Sequence, residues 1–458
     1  MKDAAEVKDK RSLIYSMDGY PPLSVAFPLG LQHVLAMFTS NLAPCFILAG
    51  VVGMSDPEKI IMVQCAMLIS GVTTFFQLYP VSIFGKKSKL PRLGAELPIV
   101  MGTSFAFVPT SITVAQTYGV SGVMGAAFLG SLVEFVMGFF IKPLKKYFPP
   151  LIIGAVLIAI GINLLKAGTG YWAGGVGSAD YGSVQNMTLG LLVFVSVVVC
   201  QRFGRGMIQV SALLIGIGVG YAASILMGIL NFATFEQAAW FTVPRPLYFG
   251  YSFHFDAILS FAALYIVSGL ETMGNTSGIT VAAFDREATH EETSGAIIAD
   301  SFGSMLATFF NTLPNTAFGQ NAGLVAMTKV VNKFCIATGA ATLVVAGFVP
   351  KVGAIFTMMP NSVLGGAIIG VFAMITINGI KLIAKAGFSQ RNITVLSVTF
   401  AIGMGLATGP NELRAHLPSI IQYVLKDSVV AVCIIGIIMN IIFPPDEDAN
   451  KSVVIDVD

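Results

Sequence analysis

The sequence predicts an all-α, polytopic membrane protein with about fourteen transmembrane segments, and three observations carry that prediction. Charged residues make up 11% of the 458-residue chain and hydrophobic residues 55%, and the mean hydropathy is +0.81. A soluble globular chain carries about 25% charged residues. Apolar runs of roughly 20 residues, enough to cross about 30 Å of hydrocarbon, recur from end to end with short polar connectors. Helices follow, because an open sheet cannot satisfy its backbone polar groups in lipid.

Taken in order, the apolar spans fall near 23–51, 57–81, 94–118, 120–141, 149–166, 183–203, 207–230, 256–278, 294–312, 313–330, 332–350, 360–383, 390–410 and 427–443. The third observation is how this threading sorts the charges. With residues 1–22 as a cytoplasmic tail, the inner side holds Lys2, Lys8, Lys10, Arg11, Lys86, Lys87, Lys89, Arg92, Lys142, Lys145, Lys146, Arg202, Arg205, Arg286, Lys329, Lys333, Lys381, Lys385, Arg391 and Lys451. The outer side holds Lys59, Lys166, Arg245, Lys351, Arg414 and Lys426, so all 26 basic residues are placed with a strong positive-inside bias. The connectors expected outside carry both tryptophans, as interfacial anchors would. The tail "MKDAAEVKDKRSLIYSMDGY" lacks an apolar stretch before a small-residue cleavage site and reads as cytoplasmic, like residues 444–458. The five cysteines sit in apolar runs without CxxC spacing, so they read as packing residues. A net charge of +2 is too small to point to nucleic acid.

An internal symmetry follows. The third span contains "MGTSFAFVPTSITVA" and the tenth "PNTAFGQNAGLVAMT". Aligned on Thr-(Ser/Ala)-Phe, Thr103-Ser104-Phe105-Ala106 lies over Thr316-Ala317-Phe318-Gly319. An odd number of spans separates the two, so they cross in opposite directions, the trace of a seven-plus-seven inverted repeat with breaks at matching positions. A segment that is extended and then helical leaves free backbone N–H groups at the break, aimed into a midplane cavity. Gly319 would permit close backbone approach, Gln320 would supply a donor and an acceptor, and Phe105 and Phe318 would offer aromatic faces to a flat, hydrogen-bonding ring. The spacing alone fits equally a Gly-kinked helix whose Gln320 and Asn321 bond to neighbouring helices.

The acids weigh toward the cavity. Glu271 in "YIVSGLETMGNTSG" and Asp300 in "GAIIADSFGSML" lie inside apolar spans with no basic residue nearby on their own helices. Carboxylates there are costly, face cavities as a rule, and give proton-coupled transport a chemical handle. Each has a structural alternative as an acceptor for a neighbour's hydroxyl or N–H. Glu134 is a third candidate, Glu96 reads as a cap for the third span, and a lone His33 in "GLQHVLAMF" is more often a satisfied core residue than a proton relay.

"QNAGLVAMTK" resembles the signature of the nucleobase-ascorbate transporter, or nucleobase-cation symporter-2, family: Gln/Glu, Asn, any, Gly, four of any, Thr, then Arg/Lys/Gly. Gln320, Asn321, Gly323, Thr328 and Lys329 match it, and "GLQH", "GTSFAF", "GLETMGN" and "FNTLPNTAFGQN" extend the likeness across nearly the whole chain. The resemblance implies a core domain (23–141 and 256–350), a gate domain (149–230 and 360–443), an elevator-type movement of one against the other, and a homodimer in a bacterial inner membrane. It implies that Glu271 and Gln320 hydrogen-bond a purine ring, that Phe105 stacks on it, and that backbone N–H groups around Ser104, Phe105, Ala106 and Gly319 add contacts beside Phe318. It also implies that Asp300 serves proton coupling, that His33 holds the site in shape, and that Asn321 tunes selectivity. Protons as the coupling ion and no cofactor or metal are the pattern of the bacterial branch.

Gln320 in place of Glu, and "ETMG" without a following His, resemble the xanthine and uric acid branch, whereas Asn275 stands where many xanthine permeases carry Asp. The substrate expected is therefore xanthine, then uric acid, with a uracil or other purine symporter as the alternative. A passive facilitator could keep the same pocket. An anion exchanger of this architecture would dispense with Glu271, and an embedded enzyme lacks HExxH, GxSxG or a His/Cys cluster to work with.

Overall fold

The computed structural model describes residues 13–82, 92–140 and 149–443. The basic residues of the N-terminal tail up to Arg11, Lys86, Lys87 and Lys89, Lys142, Lys145 and Lys146, and Lys451 lie outside the described residues. The chain is mostly helical, with helices α1 (Leu23–Val51), α2 (Asp56–Leu78), α3 (Val108–Phe139), α4 (Pro150–Trp172), α5 (Val184–Phe203), α6 (Ala212–Leu226), α7 (Phe255–Phe284) and α8 (His290–Phe309). They continue as α9 (Gln320–Thr328), α10 (Lys333–Gly347), α11 (Pro350–Thr357), α12 (Asn361–Ala386), α13 (Gln390–Thr408), α14 (Ser419–Lys426) and α15 (Ser428–Ile442). Two three-residue strands, β1 (Met101–Thr103) and β2 (Asn315–Ala317), interrupt the helical order.

Among the described residues, eight helices are long and apolar enough to cross a membrane, and α10 with α11, bent by 81° at the Phe348–Val349 break, makes up to nine. Several predicted spans take other forms. The run 207–230 is a four-residue helix followed by α6, and 313–330 is β2 followed by the nine-residue α9. Spans 94–118 and 120–141 share α3, with Gly119 (φ 72°, ψ −179°) marking the break between its two parts. Hydropathy registers apolar length and is blind to such breaks, because Gly and Thr interrupt a helix without lowering the local average much. Glu96 does not cap a helix: it has a φ of 61° and pairs with Arg92 at 2.7 Å and Lys333 at 3.3 Å, while Lys333 also meets Asp18 at 2.6 Å.

Helix packing sorts the chain into neighbourhoods. The most extensive contact is α12 on α4; α3 packs on α7 and α8, α10 on α1 and α2, and α13 on α15. Glycines make the close crossings possible. An added Cβ at Gly154 would stand 2.7 Å from the Gly379 carbonyl, and one at Gly30 would stand 2.2 Å from the Cys335 carbonyl. Small residues let backbones touch where lipid offers no hydrophobic drive for helix association.

The strand pair sits in the middle of the α1, α2, α7 and α8 neighbourhood. β1 and β2 run antiparallel, with Met101 opposite Ala317, Gly102 opposite Thr316 and Thr103 opposite Asn315. Beyond the ladder, the Ser104 N–H donates to the Pro314 carbonyl at 2.8 Å and the Phe318 N–H to the Val100 carbonyl at 3.0 Å. These two bonds exchange under a local two-fold axis through the Gly102–Thr316 pair, which lays Thr103 over Ala317 and Ser104 over Phe318. This local symmetry differs by one residue from the alignment of Thr103 on Thr316. That alignment matched identical letters, whereas strand side chains alternate faces with a period of two and a one-residue offset would reverse every face.

A two-stranded ribbon this short has unsatisfied edges, and inside a bilayer those must find partners. Side chains supply them. Asn41 Oδ1 of α1 accepts from the Thr103 N–H at 2.7 Å, the Thr103 hydroxyl at 3.0 Å and the Ser70 hydroxyl at 2.8 Å. Thr74 Oγ1 accepts from the Met101 N–H at 3.0 Å, and Asn275 Nδ2 of α7 donates to the Ala317 carbonyl at 2.7 Å. Ser304 of α8 accepts from the Asn315 N–H at 3.0 Å, and Asn315 Nδ2 donates to Thr73 at 2.8 Å. All of these side chains but Asn275 are buried. Replacing Asn41 with Leu strands the Thr103 N–H and the Ser70 hydroxyl. We expect Asn41→Leu to lower stability by at least about 1–3 kcal/mol, the cost of a buried donor left unpaired. Thermal unfolding in detergent checks this, and an unchanged midpoint would remove Asn41 from the support of the strand.

Candidate functional site

The C-terminal ends of β1 and β2 open onto a cavity of about 170 Å³. That is the scale of one small ring system, below the ~300–1,000 Å³ of drug-sized sites. On one side it is lined by Thr103 to Ala106, Thr316 to Gln320, Glu271 and Asn275, and on the other by Leu157 and Ile160 of α4 and Val371, Ile375 and Asn378 of α12. The site is thus closed between two neighbourhoods of the bundle.

The breaks create the polar part of the wall. The Ser104 hydroxyl caps the turn by accepting from the Ala106 N–H at 3.2 Å. The N–H groups of Phe105, Gly319 and Gln320 have no backbone acceptor among the described residues. They are the orphan donors expected where extended chain becomes helix. Gly319 is there because nothing larger fits: an added Cβ would lie 2.6 Å from Asn275 Oδ1, whose amide is already committed to Ala317. Gln320 is exposed to the cavity mouth, and its carboxamide has no hydrogen-bond partner among the described residues. The half-buried Glu271 reaches the cavity from α7, also without a hydrogen-bond partner among the described residues, and no lysine or arginine lines the cavity. Uncommitted donors and acceptors therefore line one side of the cavity, opposite a largely apolar wall.

The aromatic wall comes from Phe105, half-buried and packed edge-on against Phe372 of α12 at 5.4 Å between ring centroids, and from Phe318, 7% exposed. Gly102 lies beneath Phe318, where a Cβ would sit 2.3 Å from the ring. Faces held this way suit the flat surface of a heterocycle.

Three of the sequence candidates stand behind the wall. Asp300 is fully buried on α8 and accepts from the Thr272 hydroxyl, which lies 3.4 Å from the Thr316 hydroxyl of β2. Asp300 is thereby linked to the cavity wall through two hydroxyl groups. His33 Nδ1 bonds to Asn321 Oδ1, and Asn321 Nδ2 donates to the Pro98 carbonyl. Asn321 is buried and does not line the cavity; it ties α9 to α1 and to the chain entering β1, so the structure makes it a strut. His33 and Asn321 form one bridge, which explains a histidine in an apolar helix.

Glu134 of α3, the third acidic candidate, is fully buried beside Asp300, and both acids lie within electrostatic reach of Glu271. Neither Glu134 oxygen makes a hydrogen bond of normal geometry among the described residues. Gly269 lets Glu134 in, since a Cβ there would stand 3.2 Å from Glu134 Oε1 and 1.9 Å from Met137. Sequence reading found the three acids singly. Their convergence had no signal, because it depends on α3, α7 and α8 packing together. The wall from α4 and α12 was also missed, since Leu157, Ile160, Val371 and Ile375 are indistinguishable in a sequence from lipid-facing residues. Only Asn378, a carboxamide in an apolar span, could have been singled out.

A family model described as a permease family matches residues 25–412. The chain is 31% identical over 428 residues to the xanthine permease of Bacillus subtilis (strain 168), covering 92% of this chain and 94% of that protein. It is 32% identical over 387 residues to the uric acid permease PucK of the same organism, covering 83% of this chain and 87% of that protein. Among solved structures, the transmembrane domain of a cyanobacterium bicarbonate transporter, BicA, superposes with a TM-score of 0.58 at 14% identity over 91% of this chain and 98% of that one, which speaks for the fold. With the signature at Gln320–Lys329 inside the matched residues, the chain belongs to the permease family its motifs resemble, the nucleobase-cation symporter-2 transporters, and is a permease and not an enzyme.

Proposed function

We propose that this permease imports an oxidised purine nucleobase, xanthine first and uric acid next, by symport with protons. The observation that carries the reading is the convergence of the Glu271 carboxylate, the Gln320 carboxamide and three uncommitted N–H groups on a cavity of about 170 Å³ beside Phe105. A dioxopurine is flat and carries alternating ring N–H donors and carbonyl acceptors. Glu271 accepts from ring N–H groups, Gln320 donates to one ring atom and accepts from the next, and the N–H groups of Phe105 and Gly319 meet carbonyl oxygens. The relatives named for xanthine and uric acid support this substrate class. Against an anion carrier stands Glu271, an acid facing the cavity with no cation lining it.

For coupling, three acids in mutual reach carry negative charge at a cost that a bound proton relieves. Asp300 and Glu134 accept the proton in this reading, and the hydroxyls of Thr272 and Thr316 relay the state of the pair to β2. For movement, residues 23–141 and 256–350 form a core that carries the strand breaks, Glu271 and Gln320, and residues 149–230 and 360–443 form a gate that supplies the apolar wall. Fourteen spans in an inverted repeat, both termini in the cytoplasm and a homodimer in the inner membrane complete the reading. The gate wall is nearly free of polar groups, so the core can slide along it with its ligand at little cost in broken hydrogen bonds.

The test is uptake of labelled xanthine by cells expressing the chain, with unlabelled uric acid and uracil as competitors and a protonophore as a second arm. We expect competition by uric acid and loss of uptake with the protonophore; competition by uracil alone would move the substrate to the pyrimidines. Glu271→Gln should lose high-affinity binding, about 1.5–3 kcal/mol for a hydrogen bond to a charged group, with expression intact. Normal binding by that variant would take Glu271 out of the site. Asp300→Asn should impair uphill uptake more than binding, whereas equal losses would make Asp300 a structural acceptor.

A further inference from the structure

A second cavity, larger than the one beside Phe105, lies elsewhere in the described residues. It measures about 760 Å³ and lies between the start of α3 and the C-terminal half of α4, with the ends of α1, α13 and α14 around its rim. No residue lines both cavities. They stack along α4: Ile160 lines the small one and Leu164 the large one, a single helical turn or about 6 Å apart. The large cavity occupies the end of the bundle that the positive-inside pattern places outside.

One lining residue, Asp427, is held in a polar contact. The Thr110 hydroxyl of α3 donates to Asp427 Oδ2, and Asp427 Oδ1 accepts from the Val429 and Val430 N–H groups at the start of α15 at 2.9 and 3.3 Å. Asp427 is 4% exposed and is the one acid in the lining, so its charge is spent on bonds already made. The Tyr171 hydroxyl, another lining group, lies 3.0 Å from both the Phe46 and Ile47 carbonyls, joining α4 to α1.

The cations are distributed unevenly. Among the basic residues at this end, Lys59 pairs with Asp56 at 3.0 Å, and Lys351 donates to the Phe235 carbonyl at 2.8 Å and sits over two aromatic rings. Arg414 donates to the carbonyls of Ala407 and Leu425, and Arg245 does not line the cavity. Lys166 and Lys426 are exposed, have no carboxylate partner among the described residues, and line the cavity together with Gln116; Lys426 Nζ donates to the Thr117 hydroxyl at 3.4 Å. Exposed cations in a cleft whose one acid is already hydrogen-bonded focus their field on an approaching anion.

We propose that this cavity is an entry subsite that gathers the anionic form of the substrate, held by Lys166 and Lys426, before the substrate passes to the site of Glu271. This inference rests on the oxopurine reading. An acid at the lower site and two exposed cations at the upper one divide the work: the upper site attracts an ionised purine from solution, and the lower one binds the ring in its neutral, protonated form.

The test compares uric acid with xanthine at mildly acidic pH, where uric acid is ionised and xanthine is neutral. Replacing both lysines, Lys166→Gln with Lys426→Gln, should lower the kcat/KM ratio of uric acid to xanthine about tenfold, through KM, and flatten its decline with added salt. The Lys→Arg pair should restore both. Carriage of both purines with an unmoved ratio and salt dependence overturns the entry subsite and leaves the central site standing. A wild-type chain that carries neither purine overturns the oxopurine reading, and the entry subsite with it.

Discussion

The fold depends on one constraint: an extended backbone placed inside a bilayer must have its N–H and C=O groups answered by protein. A spanning helix meets this internally, and β1 and β2 do not. Their edges are met by Asn41, Thr74, Asn275 and Ser304, drawn from four helices, so α1, α2, α7 and α8 must gather around the ribbon. The glycines that let these helices touch, and the polar residues that would otherwise be stranded in apolar spans, follow from that requirement. The ribbon in turn leaves the donors at its two C-terminal ends unmet, and the candidate site is built where they open.

The same economy explains what surrounds the cavity. The side holding the ribbon is polar, crowded and cross-linked by side-chain hydrogen bonds, with His33–Asn321 and Thr272–Asp300 as struts. The α4 and α12 side contributes Leu157, Ile160, Val371 and Ile375, which bind a ring by contact without fixing its position along the wall. A site with its hydrogen bonds on one surface and its packing on the other is suited to a ligand that travels with the first.

Much of this was legible in the sequence, for identifiable reasons. Glu271, Asp300 and Gln320 stood out because charge and carboxamide are expensive in an apolar run, and the breaks at 101–106 and 315–320 because Gly, Thr and Pro cluster there. What was not legible depends on distance along the chain. Asn41 meets Thr103 sixty-two residues away, and Glu134 reaches Asp300 across the contact of α3 with α8. Local pattern cannot express either. Asn321, expected to tune selectivity, lies behind the wall, since the motif says that it matters and not in which direction it points. The symmetry of the strand pair differs by one residue from the alignment of Thr103 on Thr316, because matching letters ignore the alternation of faces that the ladder enforces. The entry cavity left only a trace, two lysines on the sparsely basic side.

The most direct measurement is a density map of the purified protein with xanthine bound. The account predicts a flat ring against Phe105, with Glu271 and Gln320 within hydrogen-bond distance of its edge and the N–H groups of Phe105 and Gly319 directed at its oxygens. Ring density that avoids Glu271, or that lies only in the upper cavity by Lys166 and Lys426, would contradict it.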